Sequence, residues 1–235
     1  MGRRHSLFQL AVLGALAVAG GCGISPVPSP PEDAPTLDEN GLSLLGVESL
    51  DQIGIISFVA APGTVDPAEG KVVITNLSES DAPSTVPVAA DGSFAVAVSA
   101  LPSQVLRFQV VAGTRSEPLD LRVDNTGTAL TVVEPVVDCF ELTPARWLSL
   151  DGSDDSTSIV LRNLCDVPVE LGAPTLRRGQ AALSFSPTSA LSLPPSGVAF
   201  ITVSANGVAA EFEDVLLIDV LSPEVERRAI TVSIP

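Results

Sequence analysis

The chain has 235 residues, with 12 Lys and Arg against 28 Asp and Glu, a formal net charge of −16. That balance excludes a protein that grips nucleic acid, which needs clustered cations to displace counterions from phosphates, and it excludes a polybasic lipid-binding face. A single histidine, His5, and no tyrosine exclude Ser-His-Asp and Cys-His catalysis and His-ligated metal sites from the body of the chain.

Taken in chain order, Arg3, Arg4 and His5 give a short basic start, and Leu7 to Ala19 is an apolar run broken by Gln9 and Gly14. A spanning helix needs ~20 apolar residues, so this run is too short to cross a membrane and reads as a secretory signal. It ends in Ala19-Gly20-Gly21-Cys22, which resembles the lipobox of bacterial lipoproteins, with Ala19 where that family favours leucine. The resemblance implies that residues 1–21 are a cleaved signal peptide and that Cys22 is lipidated. Two or more acyl chains hold a protein stably at a bilayer. The expected setting is therefore a bacterial cell envelope, with the membrane reached through the lipid. Gly23 stands where many Gram-negative lipoproteins carry an inner-membrane retention aspartate, which favours the outer membrane over the inner.

Loss of the signal leaves 10 cations against 28 carboxylates. Residues 22–50 read as a tether, opened by Pro26, Pro28, Pro30, Pro31 and Pro35, which favour an extended polyproline-like chain. Docking of Leu42, Leu44, Leu45 and Val47 on the next domain is the alternative for its second half.

From Ile53 the apolar pattern has period two, predicting strands over Gly54–Val59, Lys71–Leu77, Thr85–Ala89, Ser93–Ser99, Val105–Ala112 and Leu119–Val123. Leu106, Phe108 and Val110 face one way, Arg107 and Gln109 the other. Turn residues such as Asp91-Gly92 and Asn125-Thr126-Gly127 punctuate the run, the pattern of an all-β sandwich or barrel. Ala90-Asp91-Gly92-Ser93-Phe94 resembles a hairpin of bacterial Ig-like and carboxypeptidase-regulatory-like sandwiches, implying such a domain over residues 51–135.

A second strand series covers residues 136–235, with candidates at Cys139–Leu142, Trp147–Leu150, Ser158–Asn163, Val167–Leu171, Leu183–Phe185, Ala199–Val203, Val215–Leu221 and Ala229–Ile234. Ile159 to Asn163, Val167-Pro168-Val169, Phe185-Ser186, Leu193-Pro194-Pro195-Ser196-Gly197 and Ile201-Thr202-Val203 resemble the Ig-like domains of the ASPM–SPD2–Hydin group and the related choice-of-anchor repeats. The resemblance implies scaffolding and binding surfaces, with no shared catalytic site. Trp147 is expected in the core.

Cys139 and Cys165 form an even pair in an oxidising compartment and are expected to form a disulfide. Asp151, Asp154 and Asp155 share one loop; a solvated turn is expected, with calcium the alternative, because calcium needs six to eight oxygen ligands. The expected fold class is all-β, two tandem Ig-like sandwiches after a signal peptide and a Pro-rich tether. The expected function is a non-enzymatic cell-envelope lipoprotein, structural or binding an envelope protein, with no cofactor. The alternative is a carbohydrate- or cell-wall-binding module.

Overall fold

The computed structural model describes residues 34–50, 53–150, 152, 155–179, 181–207 and 211–234. Within them lie twenty-one strands and one short 3-10 turn, Glu39–Gly41. The first sandwich uses β1 (Thr36–Leu37), β2 (Leu42–Leu50), β3 (Ile53–Ala60), β4 (Val65–Asp66), β5 (Lys71–Asn76), β6 (Ser84–Pro87), β7 (Phe94–Ser99), β8 (Val105–Ala112), β9 (Thr114–Arg115), β10 (Leu119–Val123) and β11 (Leu130–Val132). Its sheets are β2-β3-β7 and β11-β10-β8-β5-β6, with β9 on β8 and β1 on β4.

Period-two alternation fills the space between these sheets. Ile56 and Phe58 point in from β3, Val72 and Ile74 from β5, and Leu106, Phe108 and Val110 from β8. Phe58 and Phe108 meet edge to face with centroids 5.2 Å apart, the arrangement in which a ring edge meets a ring face of opposite charge.

One boundary needs correction. The tether expected to run to residue 50 stops near residue 36, because β2 pairs with β3 along nearly its whole length and Leu42 is buried in the first core. An apolar strand left on a tether would leave the outer edge of β3 and the Leu42 side chain in water. Pairing removes both costs.

The second sandwich uses β12 (Phe140–Thr143), β13 (Trp147–Ser149), β14 (Ser156–Asn163), β15 (Val169–Leu171), β16 (Thr175–Leu176), β17 (Leu183–Ser186), β18 (Leu191–Leu193), β19 (Val198–Ala205), β20 (Phe212–Ser222) and β21 (Glu226–Ile234). Its sheets are β12-β14-β19-β17 and β13-β21-β20-β15-β18, with β16 on β20. The chain crosses between sheets at Pro144, so β12 pairs with β14 while β13 runs parallel to β21. Alternation along β13 sends Leu148 inward and leaves Trp147 half-exposed. Trp147 is therefore not the core residue expected; Leu148 and Leu150 take that place.

Cys139 and Cys165 are bonded, with Cα atoms 4.9 Å apart. The bond closes a separation of 26 positions and, in the chain-entropy account, contributes about 3–4 kcal/mol. Beside it lies Asn163, fully buried. Its Nδ2 donates to the carbonyls of Val167 (2.9 Å), Leu193 (2.8 Å) and Pro194 (3.0 Å), and its Oδ1 accepts from the Cys165 N–H at 2.8 Å. One amide thus ties the end of β14, the Val167-Pro168-Val169 segment and the Pro194-Pro195-Ser196-Gly197 turn together, three places the sequence pattern had marked separately.

Asn163→Ala should cost about 2–4 kcal/mol, because it strands several buried backbone groups at once. Urea unfolding measures this; a loss under about 1 kcal/mol would show that water replaces the amide.

An arginine-lined cleft as the candidate functional site

Arginines from both sandwiches meet at their junction. Arg107, on β8, faces away from the first core. Its Nε and Nη2 donate to Oδ1 and Oδ2 of Asp120 on β10, at 2.7 and 2.8 Å. Its Nη1 reaches into the second sandwich, to the Arg146 carbonyl and the Thr231 Oγ1, both at 3.2 Å. Arg146 returns the contact, donating to the Pro118 carbonyl at 2.8 Å. Arg177, after β16, donates to the Asn76 carbonyl at 3.1 Å and to that of Glu79. Arg115 pairs with Glu213 at 2.6 Å. Leu77 and Val105 pack against Val215, Leu217 and Ala229 across the same junction.

The face carrying Arg107 and Gln109 is therefore covered, and both residues are 2% exposed. Burial pushes the Arg177 guanidinium below its ordinary value, while Asp214, Asp81 and Glu213 pull it back up. Its Nε is buried without an acceptor among the described residues.

Beside this junction opens a cleft of about 1050 Å³. Five of the ten cations beyond residue 21 line it: Arg107, Arg122, Arg146, Arg227 and Arg228. Three are neutralised at close range. Arg107 holds Asp120, Arg227 holds Asp219 at 2.7 Å, and Arg228 holds Glu226 at 2.7 Å. The Asp219 hydrogen bond raises the Arg227 value further, against partial burial. Arg228 also donates to the Val137 carbonyl at 2.7 Å and lies 5.9 Å from the centre of the Phe140 ring. Arg146 is 3.9 Å from Glu134, at the limit of an ion pair. Arg122 is exposed, and its guanidinium makes no hydrogen bond or ion pair among the described residues.

The turn that leads to β11 is held by Asp124. Its carboxylate accepts from the Thr126 hydroxyl and from the N–H groups of Thr128 (2.7 Å) and Ala129 (3.1 Å). These bonds, the Thr126 hydroxyl first, hold its pKa down to about 2.

Of the expected site residues, Cys139 and Cys165 lie together behind β12, and Asp155 accepts the Ser156 N–H at 2.8 Å. Cys22, Asp151 and Asp154 lie outside the described residues. Among the described residues no group of three or more His, Cys, Asp or Glu is placed to hold a metal ion, and no helix is long and apolar enough to cross a membrane.

No protein-family model matches the chain, and no curated protein does. Solved structures that it resembles include WR4, an MSP family member of C. elegans, at 7% identity and a TM-score of 0.35, covering 41% of this chain and 98% of that one. The E. coli chaperone DraB matches at 11% identity and 0.34, over 40% and 53%. The PapD-like domain 7 of human CEP192 matches at 13% and 0.31, over 44% and 89%. The chain is an all-β protein of Ig-like sandwich architecture, on the evidence of its own strand order and cores.

Arg107→Ala should destabilise the protein by about 3–5 kcal/mol, since it leaves Asp120 buried without its partner, and Arg107→Met with Asp120→Leu should recover most of that. Equilibrium unfolding in urea decides; a single variant within about 1 kcal/mol of wild type would remove this pair from the junction's stability. Asp124 contributes stability above its unfolded value of 3.8, which is lost as pH falls through about 2. Its carboxyl NMR shift should titrate near 2, and a midpoint at 3.8 would contradict the turn's bonding.

Proposed function

We propose that the protein is a lipid-anchored, non-enzymatic component of a bacterial cell envelope whose two sandwiches form one body that binds another protein. The observation that carries the reading is the cleft: a concave surface between two sandwiches, walled by arginines and by exposed apolar side chains. A rigid concave site loses little conformational entropy on binding. The lipobox-like Ala19-Gly20-Gly21-Cys22 supports the anchor, and the resemblance of residues 139–235 to ASPM–SPD2–Hydin-type domains supports a scaffolding role.

A second reading, a carbohydrate- or cell-wall-binding module, has one observation in its favour. On the outer face of the β12-β14-β19-β17 sheet, Phe200 is 57% exposed. Val160 stands opposite it, and Thr143 stands opposite Val160. The rows beyond are hydroxyl-bearing: Ser158, Thr202 and Ser186, then Ser156, Ser204 and Ser184. An apolar ring beside aligned hydroxyls is a surface on which a sugar ring can stack and hydrogen-bond.

Cys22→Ala should move the protein from membrane to soluble fractions or block processing, and mass spectrometry of the wild type should find acylated Cys22. Purification from detergent-solubilised envelope with the anchor intact should recover one protein in stoichiometric amount. Recovery of none, with sedimentation on insoluble peptidoglycan that Phe200→Ala abolishes, would decide for the second reading. An unmodified Cys22 would end the lipoprotein claim.

A further inference from the structure

The wall that β12 gives to the cleft is a strand edge. Phe140, Glu141, Leu142 and Thr143 all line the cleft, although successive side chains of a strand point to opposite faces. A surface that touches both sets meets the strand sideways. Among the described residues β12 pairs only with β14, and its other side has no strand beside it.

The ladder tells which backbone groups face out. The Leu164 N–H donates to the Cys139 carbonyl at 2.8 Å, in the same register that sets Phe140 opposite Asn163 and Glu141 opposite Arg162. Hydrogen-bonded pairs alternate along an antiparallel ladder, so Glu141 and Thr143 bond to β14 while Phe140 and Leu142 turn their groups to the cleft. The Phe140 N–H is taken by the Val137 carbonyl and its C=O by Arg228. The N–H and C=O of Leu142 have no partner among the described residues.

Three exposed apolar residues line the same cleft: Val136 at 55%, Leu221 at 53% and Val225 at 79% exposure. Arg122 adds a cation with no ion pair among the described residues. Glu141 also lines the cleft, with Arg162 directly opposite it on the ladder, where opposite charges attract.

We propose that the cleft takes an extended segment of a partner protein as an added strand on β12. The segment exchanges two hydrogen bonds with Leu142, lays an apolar side chain against Val136, Leu221 and Val225, and pairs a carboxylate with Arg122. Strand addition gives affinity through the backbone, while the neighbouring side chains give selectivity. Charge complementarity chooses the occupant: in a chain with 28 carboxylates, an unneutralised arginine beside an apolar wall selects an acidic, apolar segment. This proposal rests on the protein-binding reading above and names the place and chemistry of binding.

The test selects peptides from a displayed random library on the full-length, detergent-solubilised protein. Selected peptides should carry an acidic residue near an apolar one, and synthetic copies should slow hydrogen exchange at the Leu142 amide. Arg122→Gln, at an exposed position without bonds to lose, should keep the wild-type melting temperature. It should weaken the acidic peptides by about tenfold, the worth of one charge-assisted hydrogen bond, and leave copies with Asn or Gln at the acidic position unaffected. Recovery of no peptide, recovery of peptides without a carboxylate, or protection at another edge such as β2 would each overturn the proposal. Should Arg122→Gln still retain the partner co-purified from envelope at wild-type yield, the protein-binding reading stands and this cleft is not where it acts.

Discussion

Arg107 is where the two sandwiches become one body. Asp120, from the same sheet, takes two of the guanidinium's donors and fixes its plane; the remaining edge is then aimed at the second sandwich. A guanidinium has five donors in a rigid fork, so one side chain can satisfy an acid on its own sheet and acceptors on the next. Such a pair is costly to bury. It is tolerated here because the carbonyl of Arg146 and the hydroxyl of Thr231 meet the donors of Nη1 in the same place. The apolar contact it flanks is small, five side chains around Leu77 and Val215. Directional polar bonds therefore set the relative placement of the sandwiches more than apolar area does.

That placement creates the cleft. The outer face of β8 and β10 supplies one wall, with Val105, Arg107, Asp120 and Arg122. The edge of β12 and the β20–β21 hairpin supply the other. Cations are scarce in this chain, and their concentration here has two uses. Arg107, Arg115, Arg146 and Arg177 are consumed in bridging the sandwiches. Arg122 is left over at the rim, where the rest of the surface is acidic.

Strands with clean alternation were legible from residues alone. β8 runs from Val105 to Ala112 and β10 from Leu119 to Val123, as the pattern places them. The misses have physical causes. β2 reads as Leu-Ser-Leu-Leu-Gly-Val-Glu-Ser-Leu, and a register shift between Leu44 and Gly46 breaks its period. β4, β9 and β16 have two residues each, too few for any periodicity. In β21, Thr231 and Ser233 lie on the face opposite Ile230, Val232 and Ile234, yet both are buried; the Thr231 hydroxyl accepts from Arg107 there. The cysteine pair was legible from the even count of cysteines left after Cys22. The cleft was not, since Arg122, Leu142 and Val225 come together only when two separately patterned sandwiches dock. Asn163 could be marked by pattern, but its role depends on carbonyls some thirty positions away.

The inclusion of β1 and β2 in the fold shortens the span left for the proposed tether. With Cys22 as the proposed anchor and the folded body beginning at Thr36, only fourteen residue steps separate lipid from fold, and a fully extended chain covers no more than ~50 Å in that distance. A tether running to residue 50 would have doubled that reach. On the proposed anchoring, so short a leash would keep the fold within that distance of the lipid, and the segments it could bind would be those presented there. Partners held at the same surface would then be met at a high effective concentration, so that a contact of modest intrinsic strength would suffice.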